Sequence, residues 1–145
     1  MKLKTEYKTE IIPHGEYPRP IMQRASYQTL NGYFEFAKVP GNEKEYTFDK
    51  KILVPFSPET ENSGIGEDFA LQNNEKLVYK RVFTVEEDTT GKKVLLHFGA
   101  VDQICRVFVN GKKAGVHRGG YTPFEFDITD LLAEGENTLV VECID

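Results

Sequence analysis

Apolar and polar residues alternate through residues 94–128, and that alternation limits the possible folds more than any other feature of the chain. Val94, Leu96 and Phe98 recur at every second position, as do Cys105, Val107 and Val109, and again Phe124, Phe126 and Ile128. A period of two is that of strands with one face buried, so three strands are predicted here. Asn110-Gly111 follows the second strand, and both residues tolerate the positive φ of a type I′ turn, whose twist suits a two-residue hairpin. Gly119-Gly120 lets the backbone bend or approach a neighbour closely. Pro123, lacking a ladder donor, fits a strand start or an edge.

The rest of the chain carries the same signal. Residues 1–23 are polar, contain Pro13, Pro18 and Pro20, and have no periodicity; they read as an extended arm in front of a domain over 24–145. From Leu30 a strand begins with Phe34 and Phe36 inward, and Pro40-Gly41-Asn42 ends it. Short strands are expected at 46–48 and 51–54, a longer one at 77–85 and a last one at 138–144. Neither face of 77–85 is cleanly polar, so its outer side should meet another element. Thr129 is expected to cap one helical turn before Gly135-Glu136-Asn137. Residues 55–76 are irregular and longer than the roughly dozen residues beyond which a structureless loop is uncommon; such loops are usually functional or disordered. Eight or nine short strands with no substantial helix give an all-β fold, read here as an antiparallel jelly-roll sandwich.

Length and composition narrow the function. A chain of 145 residues suits one domain with a real core. With 28% charged residues, a net charge of −5 and no basic stripe, a phosphate backbone is excluded as the main partner, so no nucleic acid is expected. No apolar stretch has the length of a membrane span or a signal peptide, which predicts a cytoplasmic protein without a membrane partner. Cys105 and Cys143 alternate in phase with core valines and are expected as free, buried, unreactive thiols. No CxxC or HxxxH spacing accompanies them, so neither metal nor cofactor is expected.

Several runs in this order carry a resemblance: Arg19-Pro20, Leu30-Asn31-Gly32 with Phe34 and Phe36, Val54-Pro55, and Tyr79-Lys80-Arg81. His97 to Asp102 (HFGAVD), Val107 to Gly111 (VFVNG) and His117 to Phe126 (HRGGYTPFEF) complete the series. Together they resemble the N-terminal sugar-binding domain of family 2 glycoside hydrolases, the group of β-galactosidases and β-glucuronidases. The resemblance implies a galactose-binding-domain-like fold that continues beyond Asp145, so that the chain is truncated at its C-terminus. It implies a carbohydrate partner held jointly with a catalytic barrel, and a packing role for Tyr121 and Phe124. It also implies that the long loop approaches the sugar, which makes Glu67, Asp68, Asn73 and Asn74 the candidate binding residues. There is no tryptophan; Tyr33 or Phe34, Val78 and Phe108 stand where the family often places one.

No catalytic residue is expected in the chain. A retaining glycosidase needs two carboxylates about 5 Å apart, usually on a barrel of roughly 250 residues, for which there is no room. Glu43 follows an asparagine, as the family's acid/base glutamate does, but Pro40-Gly41-Asn42-Glu43 reads as a surface turn, and Asn74-Glu75 is no better. His97 falls out of phase with Leu96 and Phe98 and reads as a surface or inter-sheet histidine. No nucleophile motif accompanies it, His117 or His14. The expected function is therefore that of a non-catalytic sugar-binding domain of a glycosidase, inactive as an isolated piece. A free-standing carbohydrate-binding module and a structural sandwich without ligand are the alternatives.

Overall fold

The computed structural model describes residues 24, 26–66 and 68–145; the arm expected at 1–23 lies outside the described residues. The strands are β1 (Gly32–Pro40), β2 (Lys50–Val54), β3 (Glu75–Thr84), β4 (Leu95–Phe98), β5 (Ile104–Val109), β6 (Lys112–Arg118), β7 (Phe124–Asp127) and β8 (Glu136–Ile144). Six form one sheet in the order β2-β1-β3-β8-β5-β6, and β4 pairs with β7 in a second. Every pairing is antiparallel. The last strand thus enters between β3 and β5, and the fold is the all-β jelly-roll sandwich that the alternation predicts.

The phase of each strand decides what lies between the sheets. Phe34 and Phe36 of β1, Cys105, Val107 and Val109 of β5, and Leu139, Val141 and Cys143 of β8 face inward and are buried. Leu96 and Ile128 close the core from the other side, with Phe98, Phe124 and Phe126 half-buried against them. The 124–128 strand is thus less enclosed than its alternation suggests, because the two-stranded sheet covers only part of the six-stranded one. Phe126 packs onto Gly115 so closely that a Cβ there would stand 2.1 Å from its ring.

The Asn110-Gly111 turn has φ of 52° and 75°, and Val109 pairs with Lys112 across it, as a type I′ hairpin requires. The Asn110 amide nitrogen donates to Asn137 Oδ1 (2.7 Å) and to the Leu131 carbonyl (2.9 Å), which ties the hairpin to the 3-10 turn Thr129–Leu131. Thr129 does not cap that turn. Ile128 holds the cap position, while the Thr129 hydroxyl donates to Asp127 (2.6 Å) and accepts from the Val94 amide (2.9 Å).

Two other expectations are corrected. Residues 46–48 form no strand; they belong to a strap, 41–49, that crosses the outer face of the large sheet. There Lys76 and Glu142, neighbours on the outward side of β3 and β8, form a buried ion pair at 3.0 Å. The Tyr46 hydroxyl donates to the same Glu142 oxygen, and Lys76 Nζ donates to the Glu43 carbonyl at 2.8 Å. Lys80 lies 5.2 Å from the centre of the Phe48 ring. Ala37 and Val78 on this face are buried, so the strap is the element that the apolar outer side of β3 called for. Tyr121 does not pack into the domain: it is 94% exposed at the tip of the loop between β6 and β7, whereas Phe124 stacks between His117 and Phe98.

Candidate functional site

The antiparallel registers gather one set of strand ends: the last residues of β1, β4, β6 and β8 with the first of β2, β3, β5 and β7. The connections 41–49, 99–103 and 119–123 and the second half of the long loop therefore meet at one end of the sandwich. That loop is folded on itself. Ser63, fully buried, donates its hydroxyl to the carbonyls of Thr60 (2.8 Å) and Pro58 (3.1 Å) and accepts from the Ile65 amide (3.0 Å). Gly64 adopts φ of 81° to end the short 3-10 turn Glu61–Ser63, and the Gly66 amide returns to the Pro58 carbonyl (3.1 Å).

This fold-back brings Ile65, Asp68, Phe69 and Ala70 against Phe36 and Lys38 of β1 and Asp49 and Lys50 at the start of β2, around a cleft of about 340 Å³. The Phe69 and Phe36 rings meet at 6.0 Å, tilted by 58°, and Phe36 contacts Tyr79 edge-on at 5.2 Å. Lys38 fixes the loop: its Nζ donates to the Ala70 carbonyl (3.0 Å), pairs with Glu75 (3.4 Å) and lies 5.5 Å from the Phe69 ring centre. The cleft therefore combines apolar side chains, Ile65 and Phe69 over a buried Phe36, with charged ones of both signs, Lys38, Asp49, Lys50 and Asp68, a mixture whose polar groups suit a hydroxyl-bearing ligand.

Of the residues read from the sequence, Asp68 lines this cleft, and Glu67 lies outside the described residues. Asn73 and Asn74 do not line it; they form the turn before β3, where the Asn74 carbonyl accepts the Gly41 amide at 2.7 Å. Lys38, Asp49 and Lys50 escaped the sequence reading, although Lys38 had a signal: it continues the inward phase of Phe34 and Phe36, an unusual place for a cation. Glu43 lies in a surface turn and accepts the amides of Lys44 (2.8 Å) and Glu45 (3.1 Å). His97, half-exposed, pairs with Glu125 across the small sheet at 2.9 Å. The His117 ring stacks on Phe124 at 4.0 Å and reaches the Thr122 hydroxyl at 3.4 Å.

Four carboxyls, none of them lining the cleft, lie below their ordinary range. Backbone amides of Glu45 and Lys44 hold Glu43 down, and the Thr129 hydroxyl and amide, with Lys93, hold Asp127 at about 2. Thr90 does the same for Asp88. For Glu142, burial alone would raise the carboxyl, but hydrogen bonds from Tyr46 and Lys76 leave it below its ordinary value. A general acid at neutral pH needs the opposite shift. Among the described residues there is no group of three or more His, Cys, Asp or Glu side chains able to hold a metal ion.

Known proteins match this architecture. A β-galactosidase of Priestia megaterium is 34% identical over 143 residues, covering 80% of this chain and 14% of that protein. A β-galactosidase of Thermoanaerobacter pseudethanolicus is 48% identical over 66 residues, covering 44% of this chain and 9% of that protein. Among solved structures, Lactobacillus rhamnosus β-glucuronidase superposes with a TM-score of 0.67 at 28% identity, covering 81% of this chain and 21% of that one. Bifidobacterium dentium β-glucuronidase, complexed with coumarin-3-O-glucuronide, gives 0.65 at 28% identity, with 79% and 19% covered. The chain thus spans less than a quarter of the length of each of these relatives. Residues 33–145 match the model of the sugar binding domain of glycosyl hydrolases family 2, so that sandwich, loop and cleft all fall within it. The chain belongs to this family.

Proposed function

We propose that this chain is a non-catalytic wall of the substrate pocket in a larger glycosidase that hydrolyses β-galactosides or β-glucuronides. In this reading a catalytic barrel supplies the paired carboxylates, and the loop presents Asp68, with Asp49 and Lys50 across the cleft, to the sugar hydroxyls. The observation that carries the proposal is that the long loop folds back so that Asp68 and Phe69 line a cleft with Lys38, Asp49 and Lys50.

Amide shifts followed by NMR during titration with galactose, glucuronate and mannose test the reading. Small shifts at Lys50, Asp68 and Phe69, unsaturated at about millimolar sugar, are expected, because one open wall gains only about 4 kcal/mol. Saturable binding tighter than about 0.1 mM would instead identify a free-standing carbohydrate-binding module. Chromogenic galactosides and glucuronides should show background hydrolysis only, and turnover that co-purifies with the chain would defeat the non-catalytic assignment.

A further inference from the structure

Cys105 and Cys143 face each other directly across β5 and β8, the central strands of the large sheet. The Asn110 amide donates at 2.8 Å to the carbonyl of Thr138, its opposite residue, which marks that position as a hydrogen-bonded pair. Bonded and non-bonded pairs alternate along an antiparallel ladder, so counting back from Asn110 puts Cys105 and Cys143 on a non-bonded pair. There the Cα atoms approach to about 4.5 Å with the side chains closest together, inside the roughly 4.4–6.8 Å range that a disulfide spans. Both side chains share the inward face, with Leu77 beyond Cys143 on β3 and His117 beyond Cys105 on β6. Both cysteines are free thiols.

We infer that Cys105 and Cys143 are a cross-strand dithiol that a small-molecule disulfide, such as glutathione disulfide, converts into an intramolecular bond tying β5 to β8. One cysteine thiolate attacks the glutathione disulfide, forming a mixed disulfide and releasing one glutathione thiolate. The second cysteine attacks the protein sulfur of that mixed disulfide and releases the other glutathione. Two electrons pass from the cysteines to glutathione, and the two cysteine protons end on the two released glutathione thiols.

The closed fold restrains this reaction. Cys105 is 0% and Cys143 7% exposed, and burial pushes both thiols up to about 12, so few thiolates exist at neutral pH. Cys143 is one residue from the end of β8, and lifting that end exposes the pair. Oxidation also removes the proton that the Cys143 thiol gives to the Asp102 carbonyl. Asp102 packs its carboxylate on Gly120, and the neighbouring Gln103 carbonyl accepts the Gly119 amide at 2.8 Å. Bond formation in the core therefore withdraws a support from the turn that carries the 119–123 loop.

The test compares two routes to oxidation. The full chain is refolded from denaturant in a glutathione redox buffer at neutral pH, and already folded chain is placed in the same buffer. Remaining thiols are alkylated in denaturant, and intact mass and peptide maps are read. The refolded chain should lose the mass of two hydrogens, take up no alkyl group and link the β5 peptide to the β8 peptide. The folded chain should reach the same product on the order of tenfold more slowly. The oxidised chain should unfold at a higher urea midpoint than the same sample with reductant, and Cys105→Ser should carry a single glutathione adduct. Two alkyl groups or two glutathione adducts on refolded chain would overturn the inference. So would a lower midpoint for the oxidised form, or equal rates by the two routes.

Discussion

Replacing Glu142 with glutamine removes one charge from the outer face of the sheet and leaves the shape almost unchanged. Glu142 is 4% exposed and Lys76 3%, so the lysine would remain desolvated with only neutral acceptors, the Glu43 carbonyl at 2.8 Å and the Tyr46 hydroxyl at 3.3 Å. Breaking a buried pair from one side costs about 3–5 kcal/mol, a large part of a typical domain stability of about 5–15. Lys76→Met should cost less, about 1–3 kcal/mol, because Arg106 at 3.3 Å and the Tyr46 hydroxyl still attend the carboxylate. Removing both charges in Lys76→Met/Glu142→Gln should cost less than Glu142→Gln alone, since no buried lysine then remains without its counter-ion. Urea unfolding followed by circular dichroism gives all three values. A loss below about 1 kcal/mol for Glu142→Gln, or a double variant as unstable as the sum of the singles, would refute the assignment of Lys76 and Glu142 as a buried, coupled pair.

The same network sets the pH limits of stability. Glu142 lies below its ordinary value of 4.5, so its contribution is complete above that value and is lost as the pH falls through the lower folded one. Tyr46, raised by burial and then by Glu142, and Tyr79, raised by burial, act in the other direction: their contribution is complete below the ordinary value of 10.0 and declines above it. Urea midpoints measured across pH should therefore drop on both flanks, and Tyr46→Phe should flatten the alkaline one. Two glycines should respond differently to alanine. At Gly115 the new Cβ meets the Phe126 ring at 2.1 Å, which should cost about 1–3 kcal/mol or more in urea unfolding. At Gly120 it meets the Asp102 carboxylate at 2.2 Å, the end of a side chain that can swing away, so the loss should be smaller.

Alternation revealed the fold because a strand with one buried face writes its phase directly into the sequence. Phe34 and Phe36, the Cys105 to Val109 run and the Asn110-Gly111 turn all needed only local information. The strap did not. Tyr46 to Phe48 has strand-like residues, but its stability comes from Glu142, almost a hundred positions away, and no local pattern announces that bond. Tyr121 failed for a different reason: its packing role was implied by the family resemblance, and in this chain the ring stands 94% exposed after Gly119-Gly120. The cleft was legible in part. An irregular, polar loop between strands pointed to residues 55–76, yet which loop residues reach the rim depends on the fold-back around buried Ser63. Asp49 and Lys50 join it only because β2 starts beside Phe36, where Lys50 and Phe36 are register partners.

The division of labour among the charged side chains of the cleft bears on how tightly this domain could hold a ligand. Lys38 is committed to the loop through Ala70, Glu75 and Phe69, so under the proposed function it positions the wall and leaves the sugar to other groups. Asp49, Lys50 and Asp68, which also line the cleft, are the groups that would meet hydroxyls. Each such contact displaces water and nets about 0.5–1.5 kcal/mol, so three of them give at most about 4.5, which corresponds to a dissociation constant of roughly half-millimolar at best. Ordering the ligand against an open surface reduces that further. A sugar held more tightly needs a second wall, one that excludes water and strengthens each rim contact. Under the proposed function the rim carboxylates and Lys50 then act on selectivity, by choosing which hydroxyl edge of the sugar faces this domain, while the opposite wall supplies most of the affinity.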